Sequence, residues 1–295
     1  MFQKHIHKGF KTILRKMSDL SSYNFETLKV ISPAEFVYHV ELNNPNKRNA
    51  LNSKSWNEIR QCFQMLNKDE NCRSVVFSGA GKCFTAGIDL SEMSQIMGDV
   101  KSDDPARRAF QIRRMIMDYQ SSFTSLELCL KPVIAAVHDA CIGAGVDVIS
   151  CSDIRLASAD AWFQIKEVQI GLAADVGTLQ RFPKIIGNDS LARELVYTGR
   201  KFTADEAMKM GFISGIFDNK DILLEHAVKL AKEIADLSPV AVQSSKAAII
   251  YSRDHSADEG LRMQADWNQV MLQSEDLIKS VMAAFQKQKP IFAKL

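Results

Sequence analysis

The spacing of apolar positions changes several times along the first third of the chain. In "EFVYHVELN", Phe36, Tyr38, Val40 and Leu42 alternate with Val37, His39 and Glu41, which predicts a strand. "NPNKRNALN" is rich in turn formers. In "SKSWNEIRQCFQMLNKD", Trp56, Ile59, Cys62, Phe63 and Leu66 recur at helical spacing behind a Ser or Asn cap candidate. "RSVVFSGAG" is a short apolar run closed by glycines, the mark of a buried strand. Residues 91–110 are polar and broken by Gly98 and Pro105, predicting a mobile surface connection. A second amphipathic helix is expected over "AFQIRRMIMDYQSSFTSLELC".

The strand-then-glycine pattern returns in "KPVIAAVHDACIGAG", followed by a helix beginning near Val146 and a further strand at "DIRLAS". This alternation argues for an α/β architecture. From about residue 203 the pattern becomes helical. "TADEAMKMG" opens with a Thr cap, "DILLEHAVKLAKEIADLS" is strongly periodic, and "PVAVQSSKAAIIYS" starts with proline where the first helical turn accepts it. One or two more helices are expected over "DEGLRMQADWNQVMLQSEDLIKSVMAAFQK". There is no internal repeat or low-complexity tract.

Composition narrows the function classes. The 295 residues suffice for one main domain, and 37 Lys plus Arg against 35 Asp plus Glu give a net charge of +2. Such a balance predicts neither nucleic-acid binding nor attraction to an anionic membrane. No apolar run reaches bilayer-spanning length, so no membrane insertion is expected. The six cysteines form no CxxC pair and mostly lie in apolar segments, which predicts reduced thiols and no metal site.

The candidate chemistry lies in two turns and three acids. "CFTAGIDL" (Cys83 to Leu90) and "CIGAGVD" (Cys141 to Asp147) each run from an apolar strand through a small-residue turn into a helix. Turns of this kind leave backbone N–H groups free, and two converging on one point would form an oxyanion hole. Asp147, Glu167 and Asp175 stand in apolar neighbourhoods, where burial raises a carboxyl pKa and makes proton transfer feasible near neutrality. Each also has a structural alternative. Asp147 could stabilise the positive end of a helix, Glu167 could pair with Lys166 or a distant Arg, and Asp175 could cap a helix at "VGTLQRF".

Four ordered motifs carry a resemblance over residues 30 to 260. "NKRNALN", "CFTAGIDL", "ACIGAGVDVISCSDIRLAS" and "FQIKEVQIGLAADVGTLQRFPKIIG" resemble the successive motifs of the crotonase (enoyl-CoA hydratase/isomerase) superfamily. The resemblance implies a spiral of strand-strand-helix repeats with a C-terminal helical region, assembled as a homotrimer or homohexamer. It divides the chain into a targeting segment over 1–22, a spiral core over 23–222 and a helical region over 223–295.

Within the superfamily, "KEVQIGLAADVGTLQRFPK" and "SPVAVQSSKAAIIYSRDHS" most resemble the Δ3,5-Δ2,4-dienoyl-CoA isomerase branch. The resemblance implies an acyl-CoA thioester substrate and no cofactor beyond the CoA it carries. Ile88 and Ala144 would donate the two N–H groups to the thioester oxygen. Ala86, Gly87, Ile88, Asp89 and Leu90 would line the CoA site, and Lys47 or Arg48 would meet its phosphates. Asp175 would be the base at C2, Glu167 the acid at C6, and Asp147 a supporting residue. Many family members carry glycine where Ala144 stands, which is tolerable if the backbone there does not need a positive φ.

Two other readings compete. A hydratase or Δ3-Δ2 isomerase would use the same oxyanion hole with different acids, and some crotonase-like proteins bind RNA. For location, "MFQKHIHKGFKTILRKM" is basic and amphipathic like a mitochondrial presequence, although Met17 offers an internal start. The terminal "AKL" is a variant of the address read by the peroxisomal import receptor. Both compartments are therefore expected.

Overall fold

The computed structural model describes residues 20–91 and 102–295. The basic segment expected over residues 1–17 lies outside them, as does most of the polar connection after residue 91. That connection ends earlier than expected. Helix α2 (Pro105–Leu128) already begins at Pro105, where Asp104 accepts from the backbone N–H groups of Ala106 and Arg107 at 2.9 and 3.1 Å. A capping Asp followed by Pro is a helix start, so the proline read as a break opens the element instead.

The chain winds as a spiral in which successive turns add to two sheets. The larger has the order β1 (Leu28–Ala34), β2 (Val37–Leu42), β3 (Ser74–Gly79), β4 (Val133–Val137), β6 (Ile154–Ser158) and β9 (Ile216–Phe217). Among the described residues of this sheet, only the β1–β2 pair is antiparallel. A second sheet comprises β5 (Ala140–Ile142), β7 (Trp162–Gln164) and β8 (Lys201–Thr203). Isolated parallel bridges, Leu51 to Ile88 and Thr85 to Cys141, extend its pattern. Thus β4, β5 and helix α3 (Ala144–Ser150) form one strand-strand-helix turn, the repeat unit that the sequence resemblance implies.

Residues on β2, β3 and β4 are buried on both faces, as parallel central strands require. Tyr38, Val40, Val75, Phe77, Val133 and Ala135 pack inward, with α1 (Ser53–Lys68) contributing Ile59, Phe63 and Leu66 to the same core. Val37, Val76, Ile134 and Leu156 point the other way. They meet α7 (Lys220–Ala235), whose Leu223, Ala227, Ala231 and Ala235 recur every four residues and let it lie close to the sheet. The six cysteines are buried and unpaired. Among the described residues, no helix is long and apolar enough to cross a membrane.

Helices α4 (Thr178–Ile186), α5 (Asp189–Thr198) and α6 (Ala204–Lys209) follow the second sheet. Beyond α7 come α8 (Pro239–Ser252), α9 (Ala257–Met271) and α10 (Glu275–Gln286). Lys246 fastens α8 to the core: its buried ammonium donates to the carbonyls of Leu126 and Lys131 and to Asp153 at 2.7 Å.

Candidate active site

The first turn is built around Asn49. Its side-chain amide donates to the carbonyls of Ala80, Cys83 and Phe84 at 2.8, 3.0 and 3.1 Å, and its carbonyl accepts from Asn44 N–H. Both Arg48 and Asn49 adopt a φ of 53°, a left-handed conformation that Asn tolerates better than most residues. Thr85 Oγ1 donates to Asn49 O at 2.6 Å and accepts from Gly87 N–H at 3.1 Å. On either side of Ile88, Gly87 O accepts from Leu51 and Asp89 N–H donates back to Leu51. Among the described residues, Ile88 N–H itself has no partner. Replacing Asn49 with Ala should cost about 2–4 kcal/mol in urea unfolding, because three carbonyls, two of them buried, lose their donor and Ala fits the left-handed backbone poorly.

The second turn meets the first. Gly143 has φ 52° and ψ −118°, a conformation open in practice only to glycine. It leads into α3, whose first N–H, on Ala144, has no partner among the described residues. A Cβ on Gly87 would stand 2.8 Å from Ile142 O and 3.9 Å from Ala144 N, so the two turns pack closely, and Ile88 and Ala144 both line the cavity beside them. Ala144 itself has no positive φ, so its methyl is accommodated.

The three acids occupy different environments. Glu167 opens a 3-10 turn (Glu167–Ile170), is 9% exposed, and its Oε2 has no hydrogen-bond partner. The turn is anchored by Gln169, which donates to the carbonyls of Thr198 and Gly199 at 3.2 and 2.9 Å. Burial raises the Glu167 pKa, with the nearby Asp175 charge adding to the shift. Asp175 faces solvent at the cavity mouth, yet burial of its inner side also raises its pKa. Its carbonyl accepts from Gln120 of α2 at 2.7 Å. It does not cap α4, whose N-cap is Gly177 with no side-chain bond.

That capping contact comes from Asp147, which is fully buried and accepts from Thr178 N–H at 2.6 Å. Asp147 thus stands in the first turn of α3, as the structural alternative has it, and its side chain also receives the first N–H of α4. Its Oδ2 is unpartnered, and burial followed by repulsion from Glu167 pushes its pKa up to about 7. The folded state therefore holds a proton that the unfolded chain releases near 3.8. The resulting stabilisation is full below that value and is lost as pH rises through about 7. Asp147→Asn, which keeps an acceptor for Thr178, should flatten this fall; urea midpoints at about pH 5 and pH 8 for both proteins measure it.

Glu167, Asp175, Ala86, Gly87, Ile88, Leu90 and Ala144 line one cavity of about 220 Å³. Asp147 and Asp89 are not among its lining residues. Asp89 accepts from Lys47 Nζ at 3.2 Å and from Ser91, bracing the turn beside the cavity. Lys166 also lies on the lining. The remaining wall is largely apolar and includes Trp56 of α1, Met115, Ile116 and Tyr119 of α2, and Leu172 and Val176. In the sequence Trp56 stands out only as one apolar position at helical spacing, and nothing in that spacing separates a core face from a cavity wall. Two N–H donors, two carboxyl groups and an apolar wall around one space suit an acyl group that gains negative charge and exchanges protons.

The sequence profile of the enoyl-CoA hydratase/isomerase family matches residues 34–294. The chain belongs to the enoyl-CoA hydratase/isomerase family. Among relatives, it is 54% identical to the mouse protein named Delta(3,5)-Delta(2,4)-dienoyl-CoA isomerase, mitochondrial, over 92% of this chain and 84% of that one. It is 42% identical to the Arabidopsis thaliana protein named Delta(3,5)-Delta(2,4)-dienoyl-CoA isomerase, peroxisomal, over 92% and 99% of the two chains. Among solved structures, an enoyl-CoA hydratase from Bacillus anthracis superposes with a TM-score of 0.82 at 26% identity, covering 91% of this chain and 99% of that one. The spiral and its helical C-terminal region are therefore those of the enoyl-CoA hydratase/isomerase fold.

Proposed function

We propose that this chain is a Δ3,5-Δ2,4-dienoyl-CoA isomerase that acts in the oxidation of unsaturated fatty acids. The observation that carries this reading is the placement of the acids. Glu167 and Asp175 face the same apolar cavity, whereas Asp147 is buried behind it. A hydratase working with two acids on one water would need the residue at 147 to reach that water. Here it holds the start of α4 instead.

In the reaction, Asp175 takes a proton from C2 of the 3,5-dienoyl thioester. The electron pair spreads over a trienolate reaching the thioester oxygen and C6. The N–H groups of Ile88 and Ala144 donate to the thioester oxygen and stabilise its share of the charge. Glu167 delivers a proton to C6, leaving the conjugated 2,4-diene. Desolvation raises the pKa of both acids, which suits proton exchange near neutrality; Asp175 is the one exposed to solvent, and the buried Glu167 is suited to hold a proton. One proton leaves and one arrives, so the balance needs no redox group or metal and no cofactor beyond the substrate's CoA. Ala86 to Leu90 hold the CoA side of the substrate, with Lys47 or Arg48 toward its phosphates.

Large apolar side chains stand exposed on the last three helices, including Ile249, Leu261, Ile278 and Phe285, the last at 85%. They support assembly as a homotrimer or homohexamer. The names of the mouse and Arabidopsis relatives support residence in mitochondria, peroxisomes or both. The activity is tested by following diene conjugation of 3,5-octadienoyl-CoA beside hydration of a trans-2-enoyl-CoA. Fast conjugation with slow hydration is expected, and the reverse ratio would make the chain a hydratase.

A further inference from the structure

A second cavity, of about 360 Å³, adjoins the candidate active site. The two spaces share three lining residues, Trp56, Met115 and Tyr119. The indole of Trp56 stacks on the Tyr119 ring at 4.7 Å and 29°, and meets Phe123 at 4.4 Å and 32° on the same helix. Trp56 is only 3% exposed and belongs to the core, so the partition is braced from behind. The first cavity is mainly apolar on this side. Beyond the three shared residues, the second is bordered by polar residues, among them Ser53, Asn57, Arg114 and Asp118.

We propose that the Trp56–Tyr119–Met115 partition is the end wall of the acyl cavity and sets the acyl-chain length the protein accepts. The inference rests on the acyl-CoA reading of the site. The thioester oxygen is fixed at the Ile88 and Ala144 turns and the reacting carbons lie by Glu167 and Asp175, so the remaining chain runs toward the α1–α2 side. Its methyl end then meets a rigid aromatic stack with polar space beyond. A longer chain must displace the wall or leave its last carbons in contact with polar side chains, and both oppose binding. Trp56 and Tyr119 are thus specificity-determining residues, not proton carriers.

The wall is tested with Tyr119→Ala and Met115→Ala. Both positions are half-buried on α2, where Ala suits the helix, and they avoid truncating the core tryptophan. Binding of saturated octanoyl-CoA and tetradecanoyl-CoA is measured by calorimetry on the full chain, with circular dichroism to confirm folding. Each variant should shift the ratio of affinities toward the longer chain by about tenfold relative to the unaltered protein. An unchanged ratio in either folded variant would overturn the proposal. The readout needs no turnover, so failure of the wall is distinct from failure of the isomerase reading, which the conjugation assay reports. Absence of acyl-CoA binding to the unaltered protein would overturn both.

Discussion

Glu167→Gln and Asp175→Asn are each expected to lower kcat for conversion of 3,5-octadienoyl-CoA by about 10²–10⁴-fold, the usual contribution of a positioned acid or base. Folding should be retained. Asp175 is exposed and its side chain caps no helix, while Glu167 Oε2 has no partner to lose. The two variants should fail differently. With Asp175→Asn, the C2 protons should no longer exchange with deuterated solvent. With Glu167→Gln, the base remains, so C2 exchange should persist while the conjugated product does not form. Near-normal turnover in either variant would remove that residue from the proton path. Loss of C2 exchange in Glu167→Gln with retention in Asp175→Asn would reverse the two roles.

Gly143→Ala is expected to reduce kcat by about 10²–10³-fold, comparable to removing one oxyanion donor. Two effects act together. Glycine's φ of 52° with ψ of −118° is unfavourable for any residue with a Cβ, so the turn rotates and the Ala144 N–H is re-aimed. The added methyl would also stand 3.1 Å from Glu167 Oε1, tighter than ordinary contact. Gly187→Ala is the comparison. That glycine has φ 62° and open space around its Cβ position, far along the chain from both turns. It should lose some stability and keep kcat. If Gly143→Ala also keeps kcat, the second turn does not stabilise developing charge.

The architecture was legible where the apolar pattern was long. Periodicity marked α1, α7 and β2, and short apolar runs closed by glycines marked β3 and β4, since burial on one or both faces dictates their side chains. Strand β1 was not anticipated: it is an edge strand whose residues alternate between half-buried and exposed, and Ile31 on its exposed side and Ser32 on the other blur the apolar–polar alternation. Strands β5, β7 and β8 have three residues each, too few to display a period.

The acids were found because a carboxylate in an apolar run is costly unless it has a purpose, but their partners were not readable. Asp147 reaches Thr178 across 31 residues, and Asn49 holds three carbonyls more than 30 residues away. Such contacts depend on how the spiral turns stack. "NKRNAL" drew attention to its charges, whereas the structural weight falls on the neutral Asn49. Trp56 and Tyr119 lie on different helices, and only the pairing of α1 with α2 turns two periodic apolar positions into a wall.

The most direct measurement of the central claim is the site of deuterium in the product formed from 3,5-octadienoyl-CoA in deuterated water, read by NMR at early conversion. Proton movement from C2 to C6 predicts a 2,4-dienoyl-CoA carrying deuterium at C6. Deuterium at C4 in a 2,5-dienoyl product would mean that the proton travels only two carbons, as in a Δ3-Δ2 isomerase, and would contradict the roles given to Glu167 and Asp175.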